Sequence, residues 1–164
     1  MAQVNSLSNV GVSSPQEMPD APPPVPSTPR RGEILLIEDR ADVREGLAQL
    51  LELHGFMVTE VADGDHGMRE LAAKPHAFAL IVLDLLLGES MAGVDFRLRQ
   101  LIDPHLAAIP TIVITATEVS DEDRAPLRPE GWLEKPFRFD AFLELVKRYV
   151  VAEGSGLIAS EERL

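Results

Sequence analysis

The residues most able to do chemistry in this chain are three acids, one hydroxyl and one lysine at the ends of apolar segments. Asp84 closes a continuous apolar run, where a lone carboxylate has no role in packing. Glu38 and Asp39 follow another apolar run, and adjacent carboxylates repel each other unless a cation or a basic side chain lies between them. Thr115 and Lys135 stand at the ends of two later segments. This set of groups is suited to a hard cation and a phosphoryl group.

Each of these residues also has an ordinary structural explanation. Asp84 could cap a helix or lie in a solvated loop, and Glu38 with Asp39 could form a solvated strand end. Thr115 could be a cap, and Lys135 could be a surface lysine before a proline turn. Because all five follow successive strand-like segments, a shared site is favoured over five separate coincidences.

The elements that would position these residues alternate along the chain between strand-like and helix-like segments. The five predicted strands begin near Glu33, Met57, Phe78, Thr111 and Trp132. Five β/α units with short connections predict an α/β fold, a doubly wound five-stranded parallel sheet with helices on both faces. In such a sheet all strands end at the same edge, so the five polar residues are expected to converge there.

Apolar residues at helical spacing predict which faces of the helices are buried. The fourth helix is expected to be short or irregular, because Pro126 and Pro129 cannot occupy a helix interior. The expected buried positions are Val43, Leu47, Leu50 and Leu51 in the first helix, Met68, Leu71 and Ala72 in the second, Val94, Leu98, Leu101 and Ile102 in the third, and Phe142, Val146, Tyr149 and Val150 in the last.

The overall composition excludes several classes of protein. With 164 residues, 45% of them hydrophobic, the chain can bury one core of ordinary size. It has no cysteine, which excludes disulfides and thiolate metal sites. The formal net charge of -12 argues against direct nucleic-acid binding, which needs clustered Lys and Arg. No apolar run reaches the ~18 residues that a membrane span needs. These features predict a soluble cytoplasmic protein with no membrane contact.

Composition also divides the chain into three parts. Residues 1–32 contain seven of the 13 prolines and no aromatic residue, and they are predicted to form a disordered, Pro-rich leader, either a simple tether or a ligand for a Pro-binding module. Residues 33–151 are predicted to form the folded domain. Residues 152–164 would then be a short tail, too short for an output domain, so a stand-alone domain is expected.

The motifs at the strand ends resemble those of the receiver domains of two-component response regulators. The resemblance covers Gly32 to Val151 and includes the intervals between the motifs. It predicts the flavodoxin-like fold of that family and a signalling role rather than an enzymatic one. The residues that carry it are Ile37-Glu38-Asp39, Val82-Leu83-Asp84, Thr115-Ala116 and Glu134-Lys135-Pro136-Phe137.

The resemblance implies a magnesium-dependent phosphoacceptor site. Asp39 and Asp84 would hold Mg²⁺ directly, Glu38 would do so through water, and the backbone carbonyl of Leu86 would complete the protein ligands. Asp84 would take the phosphoryl group from a histidine kinase, a histidine phosphotransfer protein or a small phosphodonor, which gives an aspartyl phosphate. Lys135 would neutralise charge on the transferred oxygens.

The resemblance also implies a switch and an output partner. Thr115 would move toward the phosphoryl group, and Trp132, three positions before Lys135, would move inward as Thr115 leaves its space. A partner protein of unknown identity would then recognise the altered surface. The alternative for Trp132 is simple packing on the last helix near Phe139 and Tyr149.

Two departures from the family pattern keep an alternative function open. Gly88 replaces the usual proline after the acceptor, and Gly93 stands one position later than the usual loop glycine, which predicts a longer, more mobile loop. The alternative is a pseudo-receiver that binds proteins without being phosphorylated. Two further classes are disfavoured: a haloacid dehalogenase-type phosphatase needs an acid where Leu86 stands, and a dinucleotide-binding domain needs a Gly-rich turn after the first strand.

Overall fold

The computed structural model describes residues 28–88 and 92–153, and in them it contains the predicted parallel sheet. Five strands pair in the order β2-β1-β3-β4-β5, all parallel. The doubly wound fold is therefore confirmed. The strands are β1 (Glu33–Ile37), β2 (Val58–Val61), β3 (Phe78–Asp84), β4 (Thr111–Thr115) and β5 (Gly131–Glu134).

The helices cover both faces of this sheet. The predicted fourth helix is short, as expected: a four-residue α-helix runs directly into a three-residue 3₁₀-helix that contains Pro126. A one-turn helix after the third helix was not predicted. The helices are α1 (Ala41–Leu53), α2 (Gly64–Ala73), α3 (Ala92–Ile102), α4 (Pro104–Ala107), α5 (Asp121–Arg124), the 3₁₀-helix (Ala125–Leu127) and α6 (Phe139–Lys147).

The core consists of two apolar layers, one on each side of the sheet. All seven residues of β3 are buried, because the central strand of a parallel sheet is covered on both faces. Alternate side chains along each strand enter opposite layers. Each fully buried Leu, Ile or Val contributes about 1.5–3 kcal/mol through its transfer from water. Ile34, Leu36, Val82 and Ile114 face α1 and α6, whereas Leu35, Ile37, Leu83 and Val113 face α2, α3 and the segment around Leu127.

Contacts outside the strands extend the ordered unit at both ends. The backbone N–H of Arg30 donates to the carbonyl oxygen of Tyr149 (2.8 Å), and the N–H of Glu153 donates to that of Gly55 (2.7 Å). Most of the proposed leader, up to residue 27, and the tail from residue 154 lie outside the described residues, so their assignment stays a prediction. No helix within the described ranges is long and apolar enough to cross a membrane.

The predicted buried face of the third helix is wrong at two positions. Leu98 is 40% exposed and Ile102 is 81% exposed, while Phe96 is buried. Phe96 packs directly against Gly64 and Gly67 of α2, and this contact rotates the apolar stripe of α3 toward solvent. Two other positions that were predicted to be buried are exposed: Leu50 of the first helix, at 38%, and Ala72 of the second.

Arg97 occupies the inner face of α3 in place of the expected leucines. Its side chain is fully buried and donates hydrogen bonds to Gln100 on α3 itself and to groups that lie after α3 in the chain. The network therefore links α3 to the start of β4 and to the segment that enters β5. The acceptors are the carbonyl oxygens of Leu127 (2.8 Å) and Arg128 (2.7 Å), Gln100 Oε1 (2.7 Å), Thr111 Oγ1 (2.7 Å) and Glu130 Oε2 (3.4 Å).

Candidate functional site

Three carboxylates meet where the two central strands end. Glu38 and Asp39 follow β1, and Asp84 is the last residue of the adjacent β3. One carboxylate oxygen of each residue lies within 4.8 Å of those of the other two. Glu38 is fully buried and Asp84 is 4% exposed, so little water reaches their carboxylates to screen the repulsion between them. The predicted convergence of the acids is present in the structure.

Lys135 brings a positive charge to this cluster from the end of β5. Its Nζ donates to Glu38 Oε2 (2.5 Å) and to Asp84 Oδ2 (2.6 Å), and its side chain is 19% exposed. It is therefore an ion-pair partner of the acids and not a surface lysine. An ammonium group held this close to Asp84 is well placed to contact an anionic group attached to that side chain.

The pKa values at the site follow from burial and mutual contact. Burial raises the pKa of Glu38, and the nearby charge of Asp84 raises it further, while the hydrogen bond from Lys135 lowers it without cancelling the rise. Burial alone would lower the pKa of Lys135, but its hydrogen bonds to Asp84 and Glu38 outweigh burial and raise it. Lys135 thus stays charged.

Backbone N–H groups orient all three carboxylates. The N–H of Arg40 donates to Glu38 Oε1 (3.2 Å), that of Leu86 to Asp84 Oδ1 (2.9 Å), and that of Gly88 to Asp39 Oδ2 (2.9 Å). Oxygen donors in a small, negatively charged cluster are the ligands that hard divalent cations such as Mg²⁺ prefer. The residues therefore fit the predicted metal.

Two glycines shape the loop after Asp84. A Cβ on Gly93 would lie 2.1 Å from the carbonyl oxygen of Asp84, so only glycine lets α3 begin this close to the end of β3. Gly88 has a φ of 67°, a left-handed conformation that favours glycine, and its N–H faces Asp39. The expected lengthening of the loop falls largely on residues 89–91, which lie outside the described residues.

Arg44 is a site residue that sequence analysis missed. From α1 its Nη1 donates to the backbone carbonyl oxygens of Glu38 (2.8 Å) and Asp39 (3.3 Å), and its Nε lies 3.7 Å from Glu60 Oε2. It thus holds the backbone of the acid pair in place. Periodicity gave no signal for it, because an arginine between apolar helix positions is usually solvated.

Thr115 lies at the same edge of the sheet, and its hydroxyl forms hydrogen bonds with Thr117 rather than with the acids. Its Oγ1 accepts a hydrogen bond from the Thr117 N–H (3.2 Å) and donates to the Thr117 carbonyl oxygen (3.4 Å). Its position is one residue beyond Ile114, which pairs with Asp84. Its hydroxyl therefore binds the loop that follows β4.

Trp132 packs on the side of the sheet opposite to Phe139 and Tyr149. It pairs in register with Val113 and belongs to the apolar layer of Val119 and Leu127, whereas Phe139 and Tyr149 belong to the other layer. The alternative of packing near Phe139 and Tyr149 is wrong. The Arg124 guanidinium lies 4.4 Å from the centre of the indole ring. Strand alternation places Trp132 on the same face as Thr115.

The fold and the site together define a class of α/β proteins with an acidic centre, completed by a lysine, at the carboxyl edge of a parallel sheet. Residues 34–147 match the family profile of the response regulator receiver domain. The chain belongs to that family. Its members are signalling domains of two-component systems.

Individual relatives agree with this assignment. The chain is 30% identical over 120 residues to the response regulator receiver protein CpdR of Brucella abortus, covering 73% of this chain and 97% of that protein. It is 30% identical over 127 residues to the response regulator protein FleR of Pseudomonas aeruginosa, but spans only 26% of that protein and 76% of itself. A solved signal receiver domain of a histidine kinase from Syntrophus aciditrophicus has a TM-score of 0.64 and 27% identity, covering 81% of this chain and 97% of that one.

Proposed function

We propose that this receiver domain accepts a phosphoryl group on Asp84, in the presence of Mg²⁺, and signals through a partner protein. The observation that carries the proposal is the direct contact of Lys135 Nζ with Asp84 Oδ2 (2.6 Å) beside the carboxylates of Glu38 and Asp39. A half-buried lysine and three acids supply a nucleophile, a counter-charge for phosphoryl oxygens and a cation site in one place.

The chemistry requires little of the protein beyond positioning and charge. A carboxylate oxygen of Asp84 attacks phosphorus, and the bond from phosphorus to the donor breaks as its electron pair leaves with the donor, a histidine imidazole or a small acid. Lys135 turns from the Asp84 carboxylate to the new phosphoryl oxygens. Glu38, Asp39, Asp84 and the Leu86 carbonyl would hold Mg²⁺, which when bound neutralises charge on the phosphoryl group.

Labelling with acetyl phosphate tests this function. The chain should gain the mass of one phosphoryl group when acetyl phosphate and Mg²⁺ are both present, and intact-mass spectrometry measures the gain. Removing the metal with a chelator should prevent uptake, because the two negative reactants then meet without the cation. A chain that gains no phosphoryl group at saturating Mg²⁺ and donor would instead be a pseudo-receiver that keeps the fold for protein binding.

The proposed phosphoryl donor and the proposed output partner are proteins of the kinds with which receiver domains interact. A histidine kinase or a histidine phosphotransfer protein would supply the phosphoryl group, and an output protein would read the changed surface. Thr115 would exchange its bonds to Thr117 for one to the phosphoryl group, and Trp132, on the same face of the sheet, would respond.

Tryptophan emission reports whether this response occurs. Trp132 is the only tryptophan, so beryllofluoride with Mg²⁺ should shift the emission of the chain without any label. Movement of α5 would change the stacking of Arg124 on the indole ring, which lies 4.4 Å away. Mg²⁺ alone should give a smaller change.

The Thr115→Ala variant is the control for this measurement. It should bind Mg²⁺ normally but show a weaker emission response to beryllofluoride, because the hydroxyl that would turn from Thr117 to the phosphoryl group is gone. If a fully loaded sample keeps the emission and quencher accessibility of the free protein, Trp132 is not the switch residue.

A further inference from the structure

The outward face of α3 carries an apolar stripe that the rest of the described chain does not cover. Val94 is half-buried, Leu98 is 40% exposed and Ile102 is 81% exposed. Phe96 and Arg97 fill the inner face of the same helix, so the stripe cannot rotate inward without displacing them. A surface helix of a folded domain normally exposes its polar face and buries its apolar one. This helix does the reverse along the stripe.

Two of the three stripe residues form one wall of a groove of about 480 Å³ between α3 and the α5 region, and Ile102 lies outside it. Val94 and Leu98 line it from α3, and Val119, Pro126 and Leu127 line it from the other side. A groove between a helix and an irregular segment, with apolar residues along its floor, is the kind of surface into which an amphipathic helix docks. We call this surface the acidic groove.

Acids form the rim of the acidic groove. Glu118, Glu122 and Asp123 line it, and none of the described residues that line it is Lys, Arg or His. The hydroxyl of Ser120 donates to Asp123 Oδ2 (2.7 Å), a neutral contact that leaves the charge in place. An apolar floor with an acidic rim complements a helix with an apolar stripe flanked by basic residues.

The charge pattern also decides among possible occupants. A second copy of this chain would bring one acidic rim against another, and like charges in an interface oppose association. The chain's own ends do not supply the complement: residues 1–27 contain no Lys or Arg, and residues 154–164 contain one Arg and two Glu. We propose that the acidic groove binds a basic amphipathic helix of another protein. This surface lies outside the acidic site, and the proposal concerns the unphosphorylated chain.

A synthetic helical peptide with a leucine stripe flanked by lysines is a direct probe. A second peptide with the same stripe but glutamates in place of the lysines is the matched comparison. Fluorescence anisotropy of each labelled peptide against the full chain should show the lysine peptide binding at least about tenfold more tightly. Its affinity should fall as salt rises, since the rim charges are exposed.

Two pairs of variants locate the binding surface. Glu122→Lys and Leu98→Ser alter the acidic groove, whereas Glu52→Lys and Leu53→Ser make the same changes at exposed positions of α1, on the other face of the sheet. Each groove variant should weaken lysine-peptide binding about tenfold, and each control should stay within about twofold of the unmodified chain. All four positions are exposed, so circular dichroism should show an unchanged fold.

Three outcomes would overturn the proposal. In the first, Glu52→Lys weakens binding as much as Glu122→Lys, which means that affinity follows net charge. In the second, Leu98→Ser leaves binding unchanged, which removes the apolar floor from the interaction. In the third, the lysine peptide binds no better than the glutamate peptide.

Discussion

The Asp84→Asn variant should take up no phosphoryl group from acetyl phosphate under conditions in which the unmodified chain is labelled. The substitution replaces a charged oxygen nucleophile by a neutral amide and removes one of the three clustered carboxylates. Asn can still accept the hydrogen bond that Leu86 N–H donates to Asp84 Oδ1, so the strand end should keep its shape. Intact-mass spectrometry measures uptake, and urea denaturation checks the fold.

Two further acids separate the roles within the site. Asp39→Asn keeps the nucleophile but weakens the proposed cation site, so uptake should slow and recover as Mg²⁺ is raised. Asp63→Asn changes an exposed acid that caps α2, where its Oδ1 accepts from the His66 N–H (2.7 Å), and it should label like the unmodified chain. Retention of one phosphoryl group by Asp84→Asn would move the acceptor to another residue.

The sequence predicts the central sheet and the acidic site because both depend on local patterns. A continuous apolar run must be covered on two faces, and a polar residue at its end must then lie at the sheet edge. These two rules place Glu38, Asp39 and Asp84 together without any further information. Lys135 follows from the same rule, although its contact with both Glu38 and Asp84 depends on the reach of the side chain across β4.

The helix faces are harder to predict because tertiary contacts choose among competing patterns. On α3 the leucines at 98 and 101 suggest one buried face, but a single aromatic ring, Phe96, fits beside the glycines of α2 and sets the rotation. Arg97 then enters the core, where main-chain carbonyls from distant segments satisfy it. No spacing rule reveals that partners will be available for a buried guanidinium.

Trp132 and Arg44 show the same limit. Trp132 stands on a short strand whose alternation was too brief to assign its face, and the structure places it against Val119 and Leu127. Arg44 looks like a solvated helix residue until α1 is placed beside the end of β1. In both cases the missing information is which face of one element meets another, not the type of element.

Arg97→Met should cause a large loss of stability. It leaves Glu130, whose side chain is 7% exposed, without its cation, and it removes the donors to the Leu127 and Arg128 carbonyl oxygens. Breaking a buried ion pair from one side costs about 3–5 kcal/mol. The same burial lowers the pKa of the Arg97 guanidinium, because it removes the charge from water. The charge of Glu130 opposes this effect without cancelling it. Urea denaturation followed by circular dichroism measures the loss.

A neighbouring arginine on the same helix provides the matched control. Arg99 pairs with Asp65 at 2.8 Å, but both side chains are more than half exposed, so Arg99→Met should cost no more than about 1 kcal/mol. Adding Glu130→Gln to Arg97→Met should recover part of the loss, because the unpaired carboxylate is then neutral. The Thr111 N–H donates to Glu130 Oε2 (2.6 Å). In the double variant it can donate to the side-chain amide oxygen at position 130 instead. Equal costs for Arg97→Met and Arg99→Met would show that the buried network does not hold α3 to the segment before β5.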